Sequence, residues 1–449
     1  MKSIRLLLAS FLLLAILVFN SQPALAFCGF YVAKADSSLY NQASQVIIAR
    51  DGQRTVLTMS NDYQGEVQDF ALVVPVPVIL KKEQVHVEEA KIIERLDAYS
   101  SPRLVEYFDP DPCQVNLYDD RVTLESAKLP VAPSSAMMQK NSLGVTVEEQ
   151  FSVGEYDIVI LSAKESDGLE TWLIQNGYKI PAGAKELLQP YIKQNLKFFV
   201  AKVNLAEYKA QEFQKLRPIA IAYESTKFML PIRLGMTNAQ SDQDLIVYLL
   251  SPQGQIELTN YRTVNIPSDL NVPEFVQAEF KDFYTTMFQK TYEKENKKVA
   301  FLEYAWDMAS CDPCSAEPLT PEELKQAGVF WLNDASSNSI PDNRMIMPSS
   351  NVFITRLHIR YNRNNFPEDL RFQTTGNNQF FQGRYVINHP FRGEVSCQTN
   401  YPQEVNNRQE KEAQNLASLT GWNLEEIRQK INFVETKTEA TPWWRNLWN

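Results

Sequence analysis

The stretch Gln45-Val-Ile-Ile-Ala-Arg-Asp-Gly-Gln-Arg-Thr-Val-Leu-Thr-Met59 decides the class of fold. Two β-rich runs, 45–50 and 54–59, flank Asp51-Gly52. Such a pair between β-branched runs is a strong short-range hairpin signal. A third apolar run, 70–78, follows, and its Pro75 and Pro77 cannot donate ladder hydrogen bonds. The end of that strand is therefore expected to leave the sheet or lie at its edge.

Further strands are expected at 144–151, 156–161 and 198–203. An antiparallel set is expected from 219–222, 228–234 and 245–250. Helices are predicted over 88–99, from Ser166 to about Gly177, over 184–196 and over 273–293. The last carries Val276, Phe280, Phe283 and Met287 on one stripe. Thr320-Pro-Glu-Glu323 is a capping box with Gly328 as the stop. The run 352–360 alternates, with Arg356, His358 and Arg360 on one face. Two polar helices, 403–419 and 423–433, close the chain. The sum is an α+β protein, predominantly antiparallel β-sheet, sandwich-like, with packed helices and a short helical C-terminal tail.

Residues 1–26 read as a secretory signal peptide. Lys2 and Arg5 precede an uncharged run, 6–19, and Ala24-Leu-Ala26 is a small-x-small cleavage site. The almost wholly apolar run of 14 residues falls short of the roughly 20 that span a bilayer. Cleavage after Ala26 leaves 42 basic against 54 acidic side chains. That acidic, mixed surface argues against nucleic acid as a partner. No later run is long and apolar enough for a span. A single large domain is expected over 27–400, with possible sub-lobes 27–123 and 143–400 joined by a Ser/Ala/Pro/Met-rich loop, 124–142. A Trp-rich tail, 401–449, follows.

Export governs how the cysteines are read. Cys311-Asp-Pro-Cys314 ends the apolar run 301–306. A redox pair needs a helix N-terminus to activate its thiolate, and Pro318 stands between Cys314 and the next helix. A structural disulfide in an oxidising compartment is the plainer reading. A four-thiolate zinc site from Cys113, Cys311, Cys314 and Cys397 is the alternative, but only one Cys-x-x-Cys half exists. With Cys28 the cysteines number five, and their connectivity stays open.

Asp109, Asp111 and Asp312 sit beside prolines and cysteines, as turn formers do; a carboxylate hydrolase is the functional alternative. His86, His358 and His389 are far apart in sequence, and no His-Glu-x-x-His or Gly-x-Ser-x-Gly occurs. Trp443, Trp444 and Trp448 could seat in a membrane interface or clip back onto the protein. No catalytic residue, metal or cofactor is assigned.

Several strings together resemble a bacterial exported family, domain-of-unknown-function family 2330. They are Phe27-Cys-Gly-Phe-Tyr-Val-Ala-Lys-Ala35, the 44–65 hairpin, Val73-Val-Pro-Val-Pro77, Glu106-Tyr-Phe-Asp-Pro-Asp-Pro-Cys113, 156–172, Phe228-Met-Leu-Pro-Ile-Arg-Leu-Gly235 and 301–314. The resemblance covers the chain to about Cys397. It implies a secreted or periplasmic protein with one large domain and carries over no catalytic residues. The expected function is a non-catalytic envelope protein that binds or supports an envelope or extracellular partner. The rival is an extracytoplasmic enzyme, either a redox protein using Cys311 and Cys314 or a hydrolase using the three aspartates.

Overall fold

The computed structural model describes residues 30–33, 40–41, 44–60, 63–64, 70–113, 145–176, 184–210, 216–237, 242–312, 316–332, 351–393, 395, 397 and 399–434. The signal-like segment, Cys28, the 124–142 loop, Cys314 and the three C-terminal tryptophans lie outside them. The chain divides into two compact units. The first gathers Met1–Ser100, Pro133–Val264 and Lys297–Phe380; the second gathers Ser101–Ala132, Asn265–Asn296 and Phe381–Asn449. The fold is α+β, with antiparallel and mixed sheets.

In the first unit, seven strands of the largest sheet lie in the order Val299–Asp307, Phe353–Tyr361, Gln243–Ser251, Ser44–Asp51, Arg54–Ser60, Ile219–Glu224 and Val85–Val87. The hairpin is at its centre. Asp51 faces Arg54, so the turn falls on Gly52-Gln53, one residue beyond the expected pair. Gly52 takes φ +57°, a conformation that glycine adopts at no steric cost.

The expected antiparallel set does not form. Ile219–Glu224 lies outside Arg54–Ser60, while Gln243–Ser251 runs parallel to Ser44–Asp51 on the hairpin's other flank. Between them, 228–234 yields only the short strand Met229–Leu230 and the start of a 3-10 turn, Arg233–Thr237. Gln243–Ser251 is buried at eight of nine positions. That suits a strand covered on both faces, the setting in which parallel pairing is found.

Helix Lys91–Ser100 covers one face of this sheet. Its Ile92, Ile93, Leu96 and Tyr99 are buried with Ile47, Ala49, Tyr248, Tyr304 and Ile354. Each large apolar side chain so buried contributes about 1.5–3 kcal/mol. The same face receives Leu319, Leu324 and Val329. Thr320 and Glu323 form the expected capping box on helix Pro321–Gln326. Gly328 then takes φ +89°, and a Cβ there would stand 2.6 Å from Val56 Cγ1. Only glycine lets the chain pass so close over the sheet.

A second sheet of the first unit is wholly antiparallel, in the order Phe30–Ala33, Phe70–Val76, Lys197–Val203, Tyr156–Ala163 and Val145–Val153. Phe30–Ala33 reaches only from Phe70 to Val73. Pro75 therefore has no strand beside it on that side, while on the other it lies opposite Phe198. Helices Ser166–Gln175 and Ala184–Lys193 give Leu169, Leu173, Leu188 and Tyr191 to a core with Leu161, Phe198 and Val200.

The second unit is built on a small parallel sheet, Leu270–Asn271, Arg384–His389 and Arg103–Phe108. The predicted 273–293 helix is split into a 3-10 turn, Glu274–Gln277, and helix Phe280–Lys294. Val276, Phe283 and Met287 of the expected stripe are buried, and the Phe283 ring meets Tyr385 edge-on at 4.8 Å. Helices Tyr401–Thr420 and Leu424–Lys430 also belong to this unit, where Val405, Ala413, Leu416 and Ile427 are buried. Asn423 caps the second through the amides of Glu425 and Glu426.

Candidate functional site

Strand Phe353–Tyr361 turns Arg356, His358 and Arg360 to one face, as its alternation predicts. On that face the side chains form a ladder of alternating charge within the first unit. Asp97 Oδ1 accepts from Arg356 Nη1 at 2.6 Å, and Arg356 Nε donates to Glu303 Oε2 at 2.6 Å. Glu303 Oε1 lies 2.7 Å from His358 Nδ1. His358 Nε2 is 3.3 Å from Asp244 Oδ1, and Arg360 grips Asp244 through two 2.7 Å bonds. The Tyr248 hydroxyl donates to Asp97 at 2.9 Å and accepts from Gln45 at 3.1 Å.

Glu303 reaches this row through a β-bulge. Leu302 faces Leu357 and Tyr304 faces Arg356, so Glu303 has no residue opposite it. A bulge re-aims a side chain, and here it carries a carboxylate between Arg356 and His358. The Glu303 side chain is 1% exposed and that of Arg356 7%. Burial opposes a charge on His358, but Glu303 and Asp244 on either side push its pKa up to about 8. Asp244 also resists burial, because His358 and Arg360 hold its carboxyl well below the usual range. With His358 protonated, three acids meet three bases. Such a row joins strands and stores one proton; only Asp97, at its end, is substantially exposed.

The same sheet face is uncovered at its other end. A groove of about 440 Å³ lies there, with Val56, Ala220 and Ala222 of the sheet as its floor and Glu83, Gln84, His86, Glu88, Lys325 and Phe330 around it. The neighbouring strand Val85–Val87 reaches only from Ile219 to Ile221 of the six-residue strand Ile219–Glu224. Beyond it, the Gln84 side-chain amide donates to the Ala222 carbonyl at 2.8 Å. A side chain thus occupies an acceptor at the end of the strand pairing. Phe330 remains 39% exposed beside it.

The other sequence candidates fall in separate places. Cys113 and Cys397, in the second unit, form a disulfide with Cα atoms 5.6 Å apart. That pairing uses two of the four thiols of the zinc alternative. Cys311 is exposed, and its expected partner Cys314 lies outside the described residues; the nearest following helix begins at Pro321. Asp109 accepts two hydrogen bonds from Arg408, at 2.9 and 2.8 Å, and one from Tyr401 at 2.6 Å. Burial opposes its charge, yet these partners hold its pKa below the ordinary value. Asp111 accepts from the Cys113 amide and so makes the turn expected of it. Asp312 accepts from the Tyr304 hydroxyl at 2.9 Å. His86 lines the groove, and His389 lies between Glu106 at 2.7 Å and Glu274 at 3.2 Å, stacked on Phe108. Among the described residues no group of three or more His, Cys, Asp or Glu is set to hold a metal ion.

Sequence reasoning missed Asp97, Asp244 and Glu303 as members of one row. Glu303 did leave a signal, a lone acid in the apolar run 301–306. The groove left none, because its floor is made of alanines from a strand that reads as core.

The first unit of this α+β protein thus carries a buried row of alternating charge and an open groove on one sheet face. The model of domain-of-unknown-function family 2330, described as an uncharacterized protein conserved in bacteria, matches residues 22–373, and the chain belongs to that family. The match ends short of Cys397, where the sequence resemblance was drawn. No curated protein and no solved structure matches the chain.

Proposed function

We propose that the protein is exported and acts in the bacterial cell envelope as a binding protein, seating an extended apolar segment of a partner polypeptide in the groove of the first unit. Export is supported by the order of basic, apolar and small-x-small residues in 1–26. The Cys113–Cys397 disulfide supports it too, since such bonds persist in oxidising compartments. No helix among the described residues is long and apolar enough to cross a membrane.

The observation that carries the binding reading is the bare end of the sheet. Ala222 is exposed beside Phe330, past the reach of Val85–Val87. An extended peptide that displaces the Gln84 amide from the Ala222 carbonyl can continue the strand edge through its backbone and lay alternate side chains on the floor of Val56, Ala220 and Ala222. The three aspartates give no comparable support to a hydrolase, because each is engaged in a local hydrogen bond.

Two measurements test the reading. N-terminal sequencing of protein from the envelope fraction should begin at Phe27; a mature chain that retains residues 6–19 refutes export by cleavage. A panel of fluorescein-labelled ten-residue apolar peptides should give saturable anisotropy with the native protein. Ala222→Arg should abolish it while leaving the melting temperature in place. Equal binding by Ala222→Arg, or by a scrambled polar peptide, overturns the groove assignment.

A further inference from the structure

We infer that a cavity in the second unit is a binding site for a small molecule with a primary ammonium head. The cavity has a volume of about 150 Å³. Helix Tyr401–Thr420 presents Gln409 and Glu412 to it, three residues apart and so on one helical face. Phe275, Pro390 and Ile431 supply apolar wall, and Asn388 lies beside Glu412.

Asn388 gives Glu412 one side-chain hydrogen bond, but two acceptors of the site remain without a donor. Glu412 is 3% exposed, and its Oε1 has no hydrogen-bond donor. Arg408 Nε, also without a hydrogen-bond partner, stands 3.7 Å away, too far to serve that oxygen, while the two terminal nitrogens of Arg408 are given to Asp109. Gln409 Oε1 is likewise buried without a donor, its amide nitrogen being donated to the Asn432 carbonyl at 3.1 Å. The remaining charges around the cavity are engaged. Lys430 is held by both oxygens of Glu279, at 2.7 and 2.8 Å, and Glu274 by Arg392 at 3.1 Å and His389 at 3.2 Å.

A buried acceptor left unpaired costs its full desolvation. Two on adjacent turns facing one cavity are therefore a costly arrangement unless something supplies donors. Burial pushes the Glu412 carboxyl up to about 7; Arg408 and Asn388 oppose that rise and Asp109 adds to it. Near neutral pH the carboxylate is thus available, at a cost that a bound cation would offset. An ammonium group has three donors and no acceptor, so it can serve Glu412 and Gln409 together. At about 30 Å³ per water the space holds roughly five waters, which is also the room for a ligand of four to six heavy atoms.

Ethanolamine and ethylene glycol have the same heavy-atom count and differ in the ammonium head. Isothermal titration of the mature full-length protein at pH 8 should show saturable ethanolamine binding and none for ethylene glycol. Between pH 8 and pH 6 the affinity should fall about tenfold, as protons compete for a carboxylate titrating near 7. Glu412→Gln should lose ethanolamine binding while keeping its circular dichroism. Gln409→Leu should weaken binding and decides the matter should Glu412→Gln fail to fold. Equal binding of ethylene glycol, no ethanolamine heat at millimolar concentration, or native affinity in the variants overturns the inference. The peptide groove belongs to the other unit, so either reading can fail alone.

Discussion

The two units bury charge in opposite ways. In the first, Asp97, Arg356, Glu303, His358, Asp244 and Arg360 alternate in sign, and every step is closed by a contact of 3.3 Å or less. In the second, Glu412 is as deeply buried, yet its closest cation stays at 3.7 Å and one oxygen lacks a donor. A row of alternating charge holds strands together, its longest step the 3.3 Å from His358 Nε2 to Asp244. A carboxylate with one oxygen unserved beside a cavity has room for a further donor. Equal burial therefore separates a structural charge from a functional one only when the partners are counted.

The largest expected effect comes from breaking the row. Glu303→Gln leaves Arg356 and His358 short of a buried counter-charge and should cost about 3–5 kcal/mol in urea unfolding. A loss below 1 kcal/mol would mean that the row contributes no more than surface pairs do.

Next is the covalent tie of the second unit. Cys113→Ser with Cys397→Ser removes a bond closing 284 residues of sequence separation and should cost about 2–4 kcal/mol. Hydrogen exchange should quicken in Arg384–His389 and stay slow in Phe353–Tyr361. Uniform quickening across both strands would show that the disulfide does not act on the second unit selectively.

A third contrast is in pH. His358 titrates near 8 in the fold against an ordinary 6.5. Its protonated form therefore stabilises the fold, fully below about pH 6.5, and that contribution is lost as pH rises through 8. The loss should be about 2 kcal/mol, read from urea midpoints, and the slope should vanish in His358→Gln.

The smallest effect has the opposite sense under mutation. The carboxyl of Glu412, raised to about 7, prefers its neutral form in the fold, so native stability falls as pH rises from 4.5 through 7. Glu412→Gln escapes that loss and should be about 1–2 kcal/mol more stable than the native protein at pH 8, with the gain gone by pH 4.5. Destabilisation at pH 8 would show that the 3.7 Å contact with Arg408 already offsets the burial.

What the sequence disclosed was local. The 45–59 hairpin, the Thr320 cap, the glycine stop at Gly328 and the Arg356/His358/Arg360 face all follow from spacing within a few residues, where turn chemistry and period act. The misreadings concern partners far along the chain. Nothing near Leu245 says that it will lie parallel to Ser44, and nothing near Glu303 announces a bulge, since a bulge is a mismatch with another strand. Glu412 sits in a helix polar enough to read as solvated throughout. Its burial depends on what packs against one face, which composition does not encode. Cysteine pairing was open for the same reason, and the described bond joins Cys113 to Cys397, 284 residues apart.

The parallel contact between Ser44–Asp51 and Gln243–Ser251 sets an order of events as the chain is made. The hairpin is complete by Ser60, but the outer edge of Ser44–Asp51 must wait for a strand about 190 residues downstream. At roughly 5–20 residues per second, that is about 10–40 s of synthesis with an apolar strand edge unpaired. For that interval the newborn chain exposes an unpaired strand edge, the kind of template on which chains pair with one another.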